Sequence, residues 1–274
     1  MTATTLSAKG TALVTGASTG IGAVYADRLA RRGYDLILVA RDRARLAALS
    51  HRLRAETGRA VETLIADLTD PAGLGRVEAV LRATPAITLL VNNAGVAAVT
   101  PLLDSDVDKM DQMISINVRA LTRLTYAATP GFVARGGGTL INVASVVAVA
   151  PEMLNGVYGA TKAFVLAFSQ SLHSELADKG VRVQAVLPGA TATEIWDRAG
   201  RPLHNLPAAI VMSAHDMVDA ALAGLDQGET VTLPALRDNA EWERFEAARR
   251  AMFSHLSNAV PAPRYNVHAP STAA

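Results

Sequence analysis

Short runs rich in valine, isoleucine and leucine alternate along this chain with longer segments of helical period, and that alternation constrains the fold more than any other feature. Runs at 11–15, 35–40, 60–66, 87–92, 138–143, 181–187 and 230–233 read as strands. Most are apolar throughout, as strands covered by helices on both faces must be. Between them, 21–32, 44–56, 71–83, 107–128, 157–179 and 214–226 carry helical periodicity, and 237–257 reads as a further amphipathic helix. Repeated strand–helix–strand units joined by right-handed crossovers give a doubly wound, three-layer α/β fold, a parallel sheet of about seven strands between two layers of helices. The carboxyl ends of its strands share one edge, where ligands bind at the switch in strand order.

The 274 residues, half of them apolar, suit one domain spanning 1–274. Within it, the irregular stretch 193–213 reads as a substrate lid and 237–274 as a carboxyl-terminal extension, with an extended tail from 261 onward. A formal net charge of +1 supplies no footprint for nucleic acid. The chain has no cysteine, which excludes disulfides and thiolate chemistry and agrees with a cytoplasmic setting. Residues 1–10 hold no apolar core of leader length, and no apolar run reaches the roughly 20 residues that span a bilayer. No His, Asp or Glu cluster has metal-ligand spacing, so no metal is expected.

Directly after the first strand, Thr15 is followed by Gly16-Ala17-Ser18-Thr19-Gly20-Ile21-Gly22 and then by a helical pattern. Glycines let the backbone turn tightly and approach a pyrophosphate, while the helix start offers unpaired amides and the positive end of its dipole. The absence of Gly-Lys-Ser/Thr excludes a P-loop. Farther on, Tyr158 and Lys162 stand one turn apart on a helix, and Ser145 closes the fifth strand. An ammonium beside a phenol is expected to lower the phenol's pKa by roughly 1–3 units, making Tyr158 a usable acid or base. Ser145 lies in no G-x-S-x-G elbow, which argues against a hydrolase nucleophile.

Taken in this order, the motifs resemble those of the short-chain dehydrogenase/reductase family, with its Rossmann-like fold, over most of the chain. The resemblance implies hydride transfer between a nicotinamide and a ketone or secondary alcohol. Asn117, Ser145, Tyr158 and Lys162 are then the catalytic residues: Ser145 holds the substrate oxygen, Tyr158 exchanges its proton, Lys162 also bonds the nicotinamide ribose, and Asn117 anchors a relay water. The cofactor contacts implied are Gly16, Ser18, Thr19, Gly20, Ile21 and Gly22 in the loop, Asp67 and Leu68 at the adenine, and Asn93, Ala94 and Gly95 after the fourth strand. Pro188, Gly189, Thr191 and Thr193 flank the nicotinamide, with the carboxamide contact open between Thr191 and Thr193.

NADP(H) is expected over NAD(H). The second strand ends at Ala40, where a carboxylate would repel a 2′-phosphate, and Arg41 supplies a guanidinium fork instead. A strand ending two residues later would put Asp42 in the NAD-selecting place. Val96, Val146, Val147, Leu154, Ala190, Ile195 and Trp196 are the candidate substrate pocket, favouring an apolar or aromatic ketone. Family membership also implies a homodimer or homotetramer through the helices at 107–128 and 157–179. Two rivals are a catalytically silent NADP-binding sensor or scaffold and a non-redox dehydratase or epimerase on the same fold.

Overall fold

The computed structural model describes residues 9–267. The expectation that no leader precedes the domain therefore rests mostly on residues outside the described ones, as does the last part of the tail. In chain order the elements begin β1 (Thr11–Thr15), α1 (Gly20–Arg31), β2 (Asp35–Ala40), α2 (Arg43–Thr57), β3 (Val61–Ile65), α3 (Pro71–Ala83) and β4 (Ile87–Asn92). They continue α4 (Val107–Ile114), α5 (Leu121–Ala134), β5 (Gly138–Val143), α6 (Gly156–Leu176), β6 (Val181–Val186), β7 (Thr191–Ala192) and α7 (Ile195–Arg198). β8 (Met212–Ser213), α8 (Ala214–Asp226), β9 (Val231–Thr232) and α9 (Asn239–Ala251) complete the order.

Seven strands form one parallel sheet in the order β3-β2-β1-β4-β5-β6-β9, so the direction of winding reverses between β1 and β4. Alternate residues of each strand point to opposite faces. Ala12, Val14, Leu36, Leu38, Leu89 and Val91 pack beneath α1, α2 and α8, whereas Leu13, Ile37, Val39, Leu90 and Leu140 pack beneath α3, α5 and α6. Both faces are thereby covered, which is why the strands contain so few polar residues. Each fully buried leucine stabilises the fold by about 1.5–3 kcal/mol relative to exposure.

Side-chain caps place the helix starts. Asp42 takes the amide of Arg45 at 3.0 Å, and Asp70 takes that of Gly73 at 2.7 Å ahead of a proline in the first turn. Asp42 therefore caps α2 rather than ending β2, which stops at Ala40.

The helix expected over 107–128 is not continuous. A π-helical stretch, Ser115–Ala120, separates α4 from α5, which runs on through Pro130 to Ala134. The irregular stretch 193–213 is bracketed by a short parallel pairing of β7 with β8.

The described residues fall into two compact units, one running to Ala235 and another starting at Leu236. In the second, Asp238 caps α9, Trp242 stacks on Phe245 at 5.3 Å, and Glu246 pairs with Arg249 at 2.8 Å. No helix among the described residues is long and apolar enough to cross a membrane.

Candidate active site

At the carboxyl edge of the sheet, across the reversal between β1 and β4, lies a cleft of about 1390 Å³. The glycine loop forms one wall. α1 has no acidic residue in its first turn, and its cap residue Thr19 makes no side-chain cap bond, so the first amides face the cleft uncompensated. Gly16 and Gly20 adopt φ of 65° and 54°, a region costly for any other residue. A Cβ at Gly22 would stand 2.3 Å from the carbonyl oxygen of Gly16. The loop is held from below by Thr15, whose hydroxyl donates to Val91 O at 3.1 Å and accepts from the amides of Asn93 and Ala94, both at 3.0 Å. Asn93 returns a bond to Thr15 O at 2.8 Å. A narrow glycine turn at a helix start, with no acidic residue of its own and with the one nearby carboxylate, Glu194, paired to Arg45 and Arg198, fits the pyrophosphate of a dinucleotide.

At the adenosine end, Ala40, Arg41, Asp67 and Leu68 line the same cleft. Arg41 is largely exposed and lies 3.6 Å from the Asp67 carboxylate. Partial burial works to raise Asp67, but Thr69 bonds and the Arg41 cation hold it below its ordinary value.

Gly95 separates the cleft from the expected catalytic group. A Cβ there would meet Asn117 Oδ1 at 2.9 Å and Lys162 Nζ at 3.7 Å, so both polar tips sit directly behind the wall that Gly95 leaves open. Ser145, Tyr158 and Lys162 are all buried. Tyr158 packs with Ala98, Met113 and Val147 and against Met110 and Leu154, and of these Ala98, Met110 and Met113 reach the cleft. Asn155 caps α6 by accepting from the amides of Val157 at 2.9 Å and Tyr158 at 3.2 Å, which fixes the helical position of the phenol.

The π-helical stretch turns Asn117 inward. Its carboxamide accepts from Val96 N and donates to Val96 O, both at 2.9 Å, and also donates to Thr161 Oγ1 at 3.1 Å. A mid-helix Asn facing solvent is thus excluded. Beneath the site, Asn92 donates to Asn142 at 2.9 Å and Asn142 to Ser169 at 2.9 Å, tying β4, β5 and α6 together.

One expectation is corrected. Burial, the larger influence, pushes the Tyr158 phenol above its ordinary value, and the Ser145 hydroxyl beside it works only partly in the other direction. Lys162 Nζ stands 5.9 Å from the ring centroid, and burial lowers the lysine itself to about 8.

Val96 and Ile195 of the candidate pocket reach the cleft wall, while Val147 is buried beside Tyr158. Trp196 donates to Thr191 O at 2.9 Å, just after β7. Thr193 lies against the phosphate loop, its methyl 3.0 Å from where a Cβ on Gly20 would stand. Thr15 opens the glycine-loop motif, whereas Arg45, Asn155 and Glu194 belong to none of the motifs named above. Only Asn155, placed just before a helical run, carried a usable signal.

Comparison with known proteins agrees with this geometry. Residues 10–203 match the family model described as short chain dehydrogenase. A short-chain dehydrogenase from Sphingobium yanoikuyae, solved in complex with NADPH, is 51% identical, with 93% of this chain and 99% of that chain covered at a TM-score of 0.91. The bulky-bulky ketone specific alcohol dehydrogenase from Comamonas testosteroni is 43% identical, with 93% and 98% covered at a TM-score of 0.86. The very-long-chain 3-oxoacyl-CoA reductase of Anas platyrhynchos is 34% identical over 201 residues, 72% of this chain but only 64% of that reductase, so the chain spans less than two thirds of its length.

Proposed function

The chain belongs to the short-chain dehydrogenase family, and from that premise we propose that it is an NADPH-dependent reductase of bulky apolar or aromatic ketones, able to run in reverse on the corresponding secondary alcohols. The observation that carries this reading is the burial of Tyr158 one turn before Lys162, whose Nζ lies 3.7 Å from where a Cβ on Gly95 in the cleft wall would stand.

NADPH, when bound, supplies the hydride. Gly16 and Ser18 through Gly22 hold its pyrophosphate, Arg41 its 2′-phosphate, and Thr191 or Thr193 its carboxamide. Ser145 donates a hydrogen bond to the substrate oxygen. Tyr158, kept protonated by burial, gives its proton to that oxygen as the carbonyl becomes an alcohol. Lys162 orients the ribose and passes a proton back towards Tyr158, and Asn117 holds Thr161 and Val96 in place beside that route.

Substrate class is argued from charge and from the relatives. The cleft wall beyond Gly95 carries Asp104, Asp106 and Asp111 against one cation, Lys109, which disfavours the phosphates of an acyl-CoA. Val96, Ala97 and Ala98 give it an apolar floor, and the Comamonas relative acts on bulky ketones by its name. A homodimer or homotetramer through α5 and α6 is supported by Tyr126, 69% exposed, and Phe164, 38% exposed, on those helices. NADPH consumption against diaryl ketones, 3-oxoacyl-CoA esters and sugar ketones tests the assignment, with Tyr158→Phe as control. Faster turnover of the CoA esters or sugars overturns the substrate class, and product formed without NADPH consumption overturns the redox chemistry.

A further inference from the structure

The first residues of the lid carry an ionic link that the reaction does not use. Glu194, next to Thr193, accepts from Nη1 of Arg45 at 2.8 and 2.9 Å and from Nη2 of Arg198 at 2.5 Å, and the Thr19 hydroxyl interacts with the same carboxylate. Arg45 lies in the first turn of α2, which follows β2, whereas Glu194 follows β6 and β7. In the sheet order these strands lie on opposite sides of the reversal between β1 and β4, so the pair crosses the mouth of the dinucleotide cleft. All four residues line that cleft, and Thr193 already rests on Gly20 of the phosphate loop. Asp42 steadies Arg45 from the other side at 3.4 Å.

Resting on the reading of the cleft as a dinucleotide site, we propose that Glu194 and Arg45 form a strap that holds the lid over the phosphate loop and sets the rate at which the dinucleotide leaves. Glu194 is a positioning residue. Its carboxylate would be an unfavourable neighbour for a pyrophosphate if it stood alone, and Arg45 and Arg198 neutralise it. Half-exposed on both sides, the pair is strong enough to slow lid opening and weak enough to let it open in every turnover.

The test is stopped-flow release of NADPH and of NADH from the wild type, Arg45→Gln, Glu194→Gln and the double variant. Each single change should speed release of both dinucleotides by about two- to fivefold, the range of an exposed ion pair. The double variant should be no faster than the faster single, and high salt should speed the wild type by a larger factor than the double variant. Acceleration confined to NADPH would mean that Arg45 acts as a 2′-phosphate ligand, and independent effects that multiply would mean no link; either overturns the strap. Trp196 supplies a reading without cofactor: in a Trp242→Phe background its quenching by acrylamide should rise in Glu194→Gln. If the protein binds neither dinucleotide the functional reading fails, and unchanged Trp196 quenching then decides against the strap separately.

Discussion

The Lys162 ammonium donates to the main-chain carbonyl of Val143 at 2.9 Å, tying the end of β5 to the helix that carries Tyr158. Burial pulls this lysine from 10.5 to about 8. Between those two values the unfolded chain holds a proton that the folded protein has lost, so stability rises with pH across that window; below about 8 the whole cost of the buried charge is present. Lys162→Met should therefore stabilise the protein by about 1–3 kcal/mol near neutral pH while abolishing most turnover. Urea melts at several pH values check this. The advantage of the variant must shrink above about pH 8, and an advantage independent of pH would show that the wild-type ammonium is solvated.

Asn117 satisfies both main-chain groups of Val96 with one carboxamide. Asn117→Ala strands a donor and an acceptor beside the cleft, each costing about 1–3 kcal/mol if water does not replace the lost partner. We expect a lower denaturation midpoint together with a fall in kcat of up to about a hundredfold, because Val96 and Thr161 both lose their anchor. A fall in stability with kcat unchanged would confine Asn117 to a structural role.

Glycine substitutions separate the phosphate loop from ordinary helix. A Cβ at Gly22 would meet the Gly16 carbonyl at 2.3 Å and Asn93 Nδ2 at 2.5 Å, and neither can move without opening the loop. Gly22→Ala should weaken NADPH binding at least about tenfold by isothermal titration, a loss of about 1.4 kcal/mol. Gly75, in the interior of α3 with nothing within 4 Å of its Cβ position, is the control. Its alanine variant should bind NADPH normally and gain about 0.5–1 kcal/mol in stability. Equal binding losses in the two variants would remove the steric argument.

What could be read from the sequence follows what is local. The apolar strands, the glycine loop and the Tyr158–Lys162 spacing lie within single elements, and the structure has them where periodicity and spacing put them. Arg45 and Glu194 are 149 positions apart, and no local pattern announces their pairing. The break at Ser115–Ala120 likewise depends on Asn117 finding Val96 across the fold. The phenol's shift differs from the expectation for the same reason. Spacing along a helix gives the neighbour but not the burial, and burial dominates both Tyr158 and Lys162.

Arg41 tests cofactor choice. Its guanidinium lies 3.6 Å from Asp67 and is free enough to turn towards a 2′-phosphate, because most of the side chain is exposed. Arg41→Asp removes a charged donor worth about 1.5–3 kcal/mol to a phosphate, so kcat/KM for NADPH should fall roughly ten- to hundredfold. NADH should gain less than NADPH loses. The new carboxylate would stand beside Asp42, already committed to the α2 cap, and Asp67, which without the Arg41 cation drifts back up towards the ordinary carboxylate range. Three crowded acids hold ribose hydroxyls poorly, and Arg41→Ala should therefore show a smaller NADPH loss with no NADH gain. A ratio of kcat/KM values for the two cofactors that stays constant across wild type and both variants would place the selecting charge elsewhere in the cleft.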